Sequence, residues 1–111
     1  MLTPFEVLAL PTRRLILDRL RDGARLVGDL ADDLEMSQPA VSKQLKVLRE
    51  AGFVQVRVDA QRRWYQLRPE PLAELADWLE PYRWMWTDRL DRLGAHLDEM
   101  SDALPENGDT R

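Results

Sequence analysis

Residues 36–54 read MSQPAVSKQLKVLREAGFV, and this stretch decides the fold. Ser37 is suited to cap a helix by accepting a backbone N–H bond, and Pro39 is tolerated in the first turn, where its missing donor has no partner to lose. At about 100° per residue, Val41, Leu45 and Leu48 fall within about 60° of one another. Those three therefore face a core and direct Pro39, Ser42, Lys43 and Lys46 outward. Gly52 supplies the stop. Around this helix stand Lys43, Lys46, Arg49 and Arg57, opposed only by Glu50. In a chain of net charge −4, such a cluster calls for an anionic partner.

The flanks complete the motif. Upstream, VGDLADDLEM offers Val27, Leu30, Ala31 and Leu34 as an inward side, with Asp29, Asp32 and Asp33 outside. Joined by the tight Glu35-Met36 link, the two helices have the proportions of a helix-turn-helix. Downstream the period changes to two. Val54, Val56 and Val58 share one strand face, and Tyr65 and Leu67 oppose Trp64, Gln66 and Arg68. DAQRR is short enough to be the tip of a hairpin and carries Arg62 and Arg63 there. The expected fold class is mainly α with a small β-hairpin, a winged helix-turn-helix.

Further out, Leu2, Phe5, Leu8 and Ala9 share one side of a first helix. Pro11 opens a second, in which Leu15, Ile16, Leu17 and Leu20 read as core and Gly23 as the left-handed terminator. From Pro71 a seam of about four heptads runs through Leu72, Leu75, Leu79, Tyr82, Trp86, Leu90, Leu93, Leu97 and Met100. Pro81 interrupts it and should kink or split the helix. A small core cannot cover this seam together with Trp78, Trp84 and Met85, so part of it is expected to meet a second subunit. The expected layout is one domain over residues 1–100, with dimerisation helices from about 70, and a polar, disordered tail over 101–111.

Composition bounds the function. The chain has 111 residues, the size of one domain, and no cysteine, which excludes disulfides, thiolate metal sites and cysteine nucleophiles. No run approaches the ~18 apolar residues of a membrane span, so a cytoplasmic protein without membrane association is expected. Charge is partitioned: residues 1–36 sum to −2, residues 37–68 to +5 and residues 69–111 to −7. Screening beyond about 8 Å lets the middle third meet phosphate despite the bulk acidity.

Several constellations have ordinary explanations. Asp32 and Asp33 diverge by about 100° on a helix and read as solvated charge. Gly23 and Gly28 have the glycine spacing of a phosphate loop, but Asp29 and Leu30 follow where Lys and Ser or Thr are needed. His96 reads as surface decoration. Trp64 and Tyr65 fit core packing better than a stacking platform for single strands. No catalytic grouping is present, and no enzyme or cofactor is expected.

The run LVGDLADDLEMSQPAVSKQLKVLREAGFV, followed by RRWYQL, resembles the ArsR/SmtB family of bacterial winged-helix repressors, over roughly residues 5–68. The resemblance implies a homodimer formed through first and last helices, here Leu2, Phe5, Leu8, Leu79, Tyr82, Trp86, Leu90, Leu93 and Leu97. It also implies a palindromic double-stranded operator, often in the protein's own promoter. By position, Gln38, Ser42 and Lys43 stand where the family meets base edges, with Pro39 on the same exposed side. Many members carry His at the Lys43 position. Ser37, Gln44 and Lys46 suit phosphate contacts, and Arg62 or Arg63 the minor groove. The metal-sensing members have a cysteine pair where this chain has Leu26 and Gly28. Others hold zinc through an Asp-x-His pair, here Arg83 and Met85, and a His-x-x-Glu pair matched by His96 and Glu99. Half of that set is too few ligands for tetrahedral zinc. The expectation is an autoregulating repressor without metal, whose small-molecule or protein effector, if it has one, is unidentified. The rival from another class is a winged-helix interaction module that uses the acidic, tryptophan-rich C-terminal helices.

Overall fold

In the computed structural model the described residues are 2–103; within the last helix the side chains of Asp91, Ala95, His96 and residues 98–103 lie outside the description. Residues up to Asp77 form one compact unit and those from Trp78 a second.

The first unit opens with a short helix, α1 (Pro4–Leu8), held by a reciprocal cap. Thr3 N donates to Glu6 Oε1 at 2.7 Å and Glu6 N to Thr3 Oγ1 at 3.2 Å. The buried residue of α1 is Val7, which the pattern reading passed over; Leu8 packs partly beside it, and Leu2 and Phe5 stay exposed. Pro11 opens α2 (Pro11–Leu20), as expected. Ile16, Leu17 and Leu20 are buried, whereas Leu15 is exposed, because three consecutive helical residues span more arc than one buried face covers. The helix ends at Leu20, short of Gly23, which sits at φ +146° in the following loop.

Two residues between the second and third helices, to which the sequence pattern gave no element, form strand β1 (Arg25–Leu26). It leads directly into α3 (Val27–Leu34), where Leu30 and Ala31 are buried, Val27 and Leu34 pack partly, and the three aspartates face out. The α3–α4 turn is made by a left-handed Glu35 (φ 56°, ψ 46°). Met36 N donates to Ala31 O at 2.9 Å and Glu35 N to Asp32 O at 3.2 Å, which satisfies the last carbonyls of α3. Helix α4 (Gln38–Glu50) follows, with Val41, Leu45 and Leu48 fully buried.

At its end Gly52 takes φ +84°, which a side chain resists. Gly52 N donates to Arg49 O at 3.0 Å and Phe53 N to Leu48 O at 2.8 Å, the paired bonds of a Schellman cap. Buried Phe53 beside buried Leu48 closes the motif and starts strand β2 (Val54–Asp59) in a fixed direction. Strand β3 (Arg62–Leu67) returns antiparallel, pairing Val54 with Leu67 through to Asp59 with Arg62. The sheet has three strands, not two, in the order β1-β3-β2, since Arg25 pairs with Tyr65 and Leu26 with Trp64.

Helix α5 (Glu70–Leu79) buries Pro71 and Leu75 and packs Leu72 on the same core. In the second unit Pro81 splits the seam: a 3-10 turn over Glu80–Tyr82 separates α5 from α6 (Arg83–Ala103). Trp78 and Tyr82 stack with ring centres 5.2 Å apart. Helix α6 continues to Ala103, and residues 104–111, which include most of the expected tail, lie outside the described residues. Along the seam Leu79, Tyr82, Trp86, Leu90, Leu93 and Leu97 are all exposed in the single chain, and Trp84 is 66% exposed. No helix among the described residues is long and apolar enough to cross a membrane.

Candidate nucleic-acid interface

The exposed side of α4 is built by what its other side buries. With Val41, Leu45 and Leu48 at zero accessibility, the rotation of the helix is fixed, and Gln38, Pro39, Ser42, Lys43, Lys46 and Arg49 emerge into solvent. Ser37 accepts the N–H of Ala40 at 3.2 Å, so its hydroxyl oxygen is engaged as the cap. Gln38 is exposed but lies along α3: a Cβ built on Gly28 would sit 3.4 Å from Gln38 Nε2. The turn of α3 thus limits where the Gln38 amide can reach, which its position in the sequence did not reveal.

Gln44 departs furthest from its expected place. It is half-buried, and Arg13 Nε donates to its Oε1 at 2.9 Å. The link joins residues 31 apart in the chain, and no periodicity signals it.

In the hairpin, Arg62 and Arg63 are exposed at the tip end of β3 and, as neighbours on a strand, leave from opposite faces. The pairing puts Arg62 on the face of Trp64, Gln66 and Arg57, and Arg63 on the face of Tyr65, Leu67 and Val58. Tyr65 packs partly on the core, in keeping with its expected role, and Trp64 is half-buried. The tip itself is two residues, Ala60 and Gln61, with Ala60 at φ +59°.

Electrostatically the segment is distinct from its surroundings. Among the described residues the ion pairs are Arg19 with Asp33, Arg68 with Glu70, Arg83 with Glu80 and Arg92 with Asp88. Among the described residues, Lys43, Lys46, Arg49, Arg57, Arg62 and Arg63 have no carboxylate within 4.0 Å, which leaves these six charges available to an outside anion. Arg49 and Arg57, which the sequence placed in the cationic cluster without assigning either a particular contact, are both exposed and without an ion pair among the described residues. Behind the C-terminal turn of α4, Leu2, Glu6, Val47, Glu50 and Ala51 line an open groove of about 510 Å³. Its two carboxylates disfavour phosphate there.

Residues 11–56 match the model of the bacterial regulatory proteins of the arsR family. The HTH-type transcriptional regulator Rv2034 of Mycobacterium tuberculosis is 43% identical over 98 residues, 88% of this chain and 89% of that protein. The chain belongs to the ArsR family. A second relative, the transcriptional repressor SdpR of Bacillus subtilis, is 32% identical over 68% of this chain and 83% of its own length. Among solved structures, the winged helix-turn-helix DNA-binding domain of Mb0332 from Mycobacterium bovis, described as homodimeric, superposes with a TM-score of 0.60. It has 29% identity and covers 72% of this chain and 74% of that one. As an ArsR-family protein the chain is a DNA-binding transcriptional regulator of the repressor type, and its α3–α4 pair and β2–β3 hairpin are the helix-turn-helix and wing.

Proposed function

We propose that the chain acts as a homodimeric repressor that lays α4 in the major groove of an operator and its hairpin tip in the adjacent minor groove. The observation that carries this is the set of six unpaired cations on α4 and the hairpin, in a molecule that is acidic elsewhere. Gln38, Ser42 and Lys43 read base edges, and Lys46 sets register on phosphate. Arg62 and Arg63 supply the wing; because they leave from opposite faces, one enters the groove and the other is left for backbone.

The exposed seam supports pairing. Leu79, Tyr82, Trp86, Leu90, Leu93 and Leu97 form an exposed apolar stripe of the kind that marks an interaction surface, and a second copy offers the same stripe in return. Leu2 and Phe5 on α1 are exposed and are proposed to contribute to pairing from the first unit, with Leu8 from its partly buried position. The homodimeric Mycobacterium bovis relative supports the same assembly. This use of the seam leaves the rival interaction module, among the described apolar residues of the C-terminal helices, only Trp78, Trp84 and Met85.

Control is proposed to be independent of the family's metal sites, on the identity of the residues. Leu26, Gly28, Arg83 and Met85 stand at the ligand positions, and none is a zinc donor at its side chain other than a weak thioether. Autoregulation belongs to the same proposal. A mobility-shift titration against the chain's own promoter region, with and without zinc, tests it. Retardation that zinc leaves unchanged is the expected outcome; retardation abolished by zinc contradicts the metal-free reading, and no retardation contradicts autoregulation.

A further inference from the structure

Arg13 lies on α2, away from the exposed row of α4, yet it holds two other elements at once. Its Nε donates to Gln44 Oε1 at 2.9 Å, and its Nη1 donates to the carbonyl of Val7 at 3.4 Å, both partly buried. Val7 is in the last turn of α1, whose terminal carbonyls have no partner within the helix. Arg13 therefore caps α1 and anchors α4 with one rigid guanidinium. The geometry also fixes the Gln44 amide. Arginine has donors only, so it must be the amide oxygen that faces it. Gln44 is turned about 100° from Lys43 around the helix, toward α2.

We propose that Arg13 is a positioning residue for base reading: through Gln44 it sets the rotation of α4, and through Val7 it ties that rotation to α1. Gln44 then serves as an anchor and not as a phosphate contact. This rests on α4 being the recognition helix. Its consequence for specificity follows from geometry, because a bidentate contact to a base tolerates little misplacement whereas a contact to phosphate tolerates more. Loosening the anchor lowers discrimination before it lowers general affinity. The link to α1, part of the proposed dimer surface, also makes subunit pairing and helix rotation interdependent.

The test uses the full chain and a duplex that the wild-type protein selects from a random library. Affinity for that duplex and for a scrambled one is measured for wild type, Arg13→Met, Arg13→Lys, Gln44→Leu, Gln44→Glu and the double variant Arg13→Met with Gln44→Leu. The ratio of the two affinities is indifferent to the fraction of folded protein, so it separates positioning from general instability. Arg13→Met and Gln44→Leu are each expected to lower the ratio about tenfold, and the double variant no more than about twofold further. Arg13→Lys retains part of the ratio. Gln44→Glu retains it in full, since a carboxylate accepts from Arg13 at least as well. The salt slope of Arg13→Met stays at the wild-type value. A slope weakened by about 1.8, the loss of one phosphate contact per protomer, would make Arg13 a DNA ligand and overturn the proposal. A uniform loss with Gln44→Glu on both duplexes would make Gln44 a phosphate donor and do the same. Wild-type protein that selects no duplex ends the recognition reading and this one with it, whereas selection by wild type with an unaltered ratio in Arg13→Met ends this one alone.

Discussion

Replacing Lys46 by Gln isolates the phosphate-contact part of binding. Lys46 is exposed, has no ion-pair partner and lies on the outward side of α4, and Gln has nearly the same helix propensity, so folding is little disturbed. The six unpaired cations of α4 and the hairpin offer twelve phosphate contacts in a pair; if roughly 6–8 are engaged, the logarithm of affinity falls against the logarithm of salt with a slope of about −5 to −7. Between 50 and 200 mM salt that is a loss of roughly 10³–10⁴. Removing Lys46 from both protomers subtracts two contacts, weakening the slope by about 1.8, and at 100 mM salt affinity falls by roughly 10- to 60-fold. Fluorescence anisotropy with a labelled duplex at four or five salt concentrations gives both numbers. The loss should be alike for selected and scrambled duplexes, because phosphate carries no sequence. An unchanged slope, or a loss confined to the selected duplex, would refute the assignment.

The remaining predictions concern assembly, stability and pH. Leu90→Arg places a charge in the exposed seam and should convert the dimer to a monomer in sedimentation without altering the helical content of the single chain. Glu35→Gly relieves a left-handed side chain, which costs about 1–2 kcal/mol, against about 0.5–1 kcal/mol of added chain entropy. The variant should gain about 0.5–1 kcal/mol in urea unfolding, and a loss of stability would show that the side chain has another role. The Thr3 backbone N–H, and next the Thr3 side chain, hold the Glu6 carboxyl below its ordinary 4.5. A depressed folded-state value means that the cap's contribution is present above the unfolded value and is lost as pH falls through the folded one. An NMR titration of Glu6 should therefore show a midpoint below that of an unstructured glutamate, moving partly back in Thr3→Ala; an ordinary midpoint in both proteins contradicts the capping box.

Much of this architecture could be read from spacing because one-sided burial leaves a period in the sequence. Val41, Leu45 and Leu48 gave the rotation of α4, Ser37 and Gly52 its ends, and alternating valines the hairpin. What escaped lacks a period. A two-residue strand such as Arg25–Leu26 is defined by its partner β3 and not by its own pattern. Val7 was missed because five helical residues are too few to display one face. Gln44 and Arg13 meet across 31 residues, a relation fixed only by tertiary packing, so Gln44 was placed among outward contacts when its oxygen faces inward. The positions of Gln38, Ser42 and Lys43 on α4 followed from the helix period, but the packing of Gln38 on Gly28 did not. Whether Pro81 would bend or divide the seam was open in the sequence because either outcome removes the same hydrogen bond; the 3-10 turn resolves it as a division.

Hydroxyl-radical footprinting on the selected duplex, with the mass of the bound species determined in parallel, most directly tests the proposal that two protomers each lay α4 on one operator. Two copies of the chain should protect two symmetric patches about one helical turn, 10–10.5 base pairs, apart. One protected patch, occupied by one copy of the chain, would contradict it.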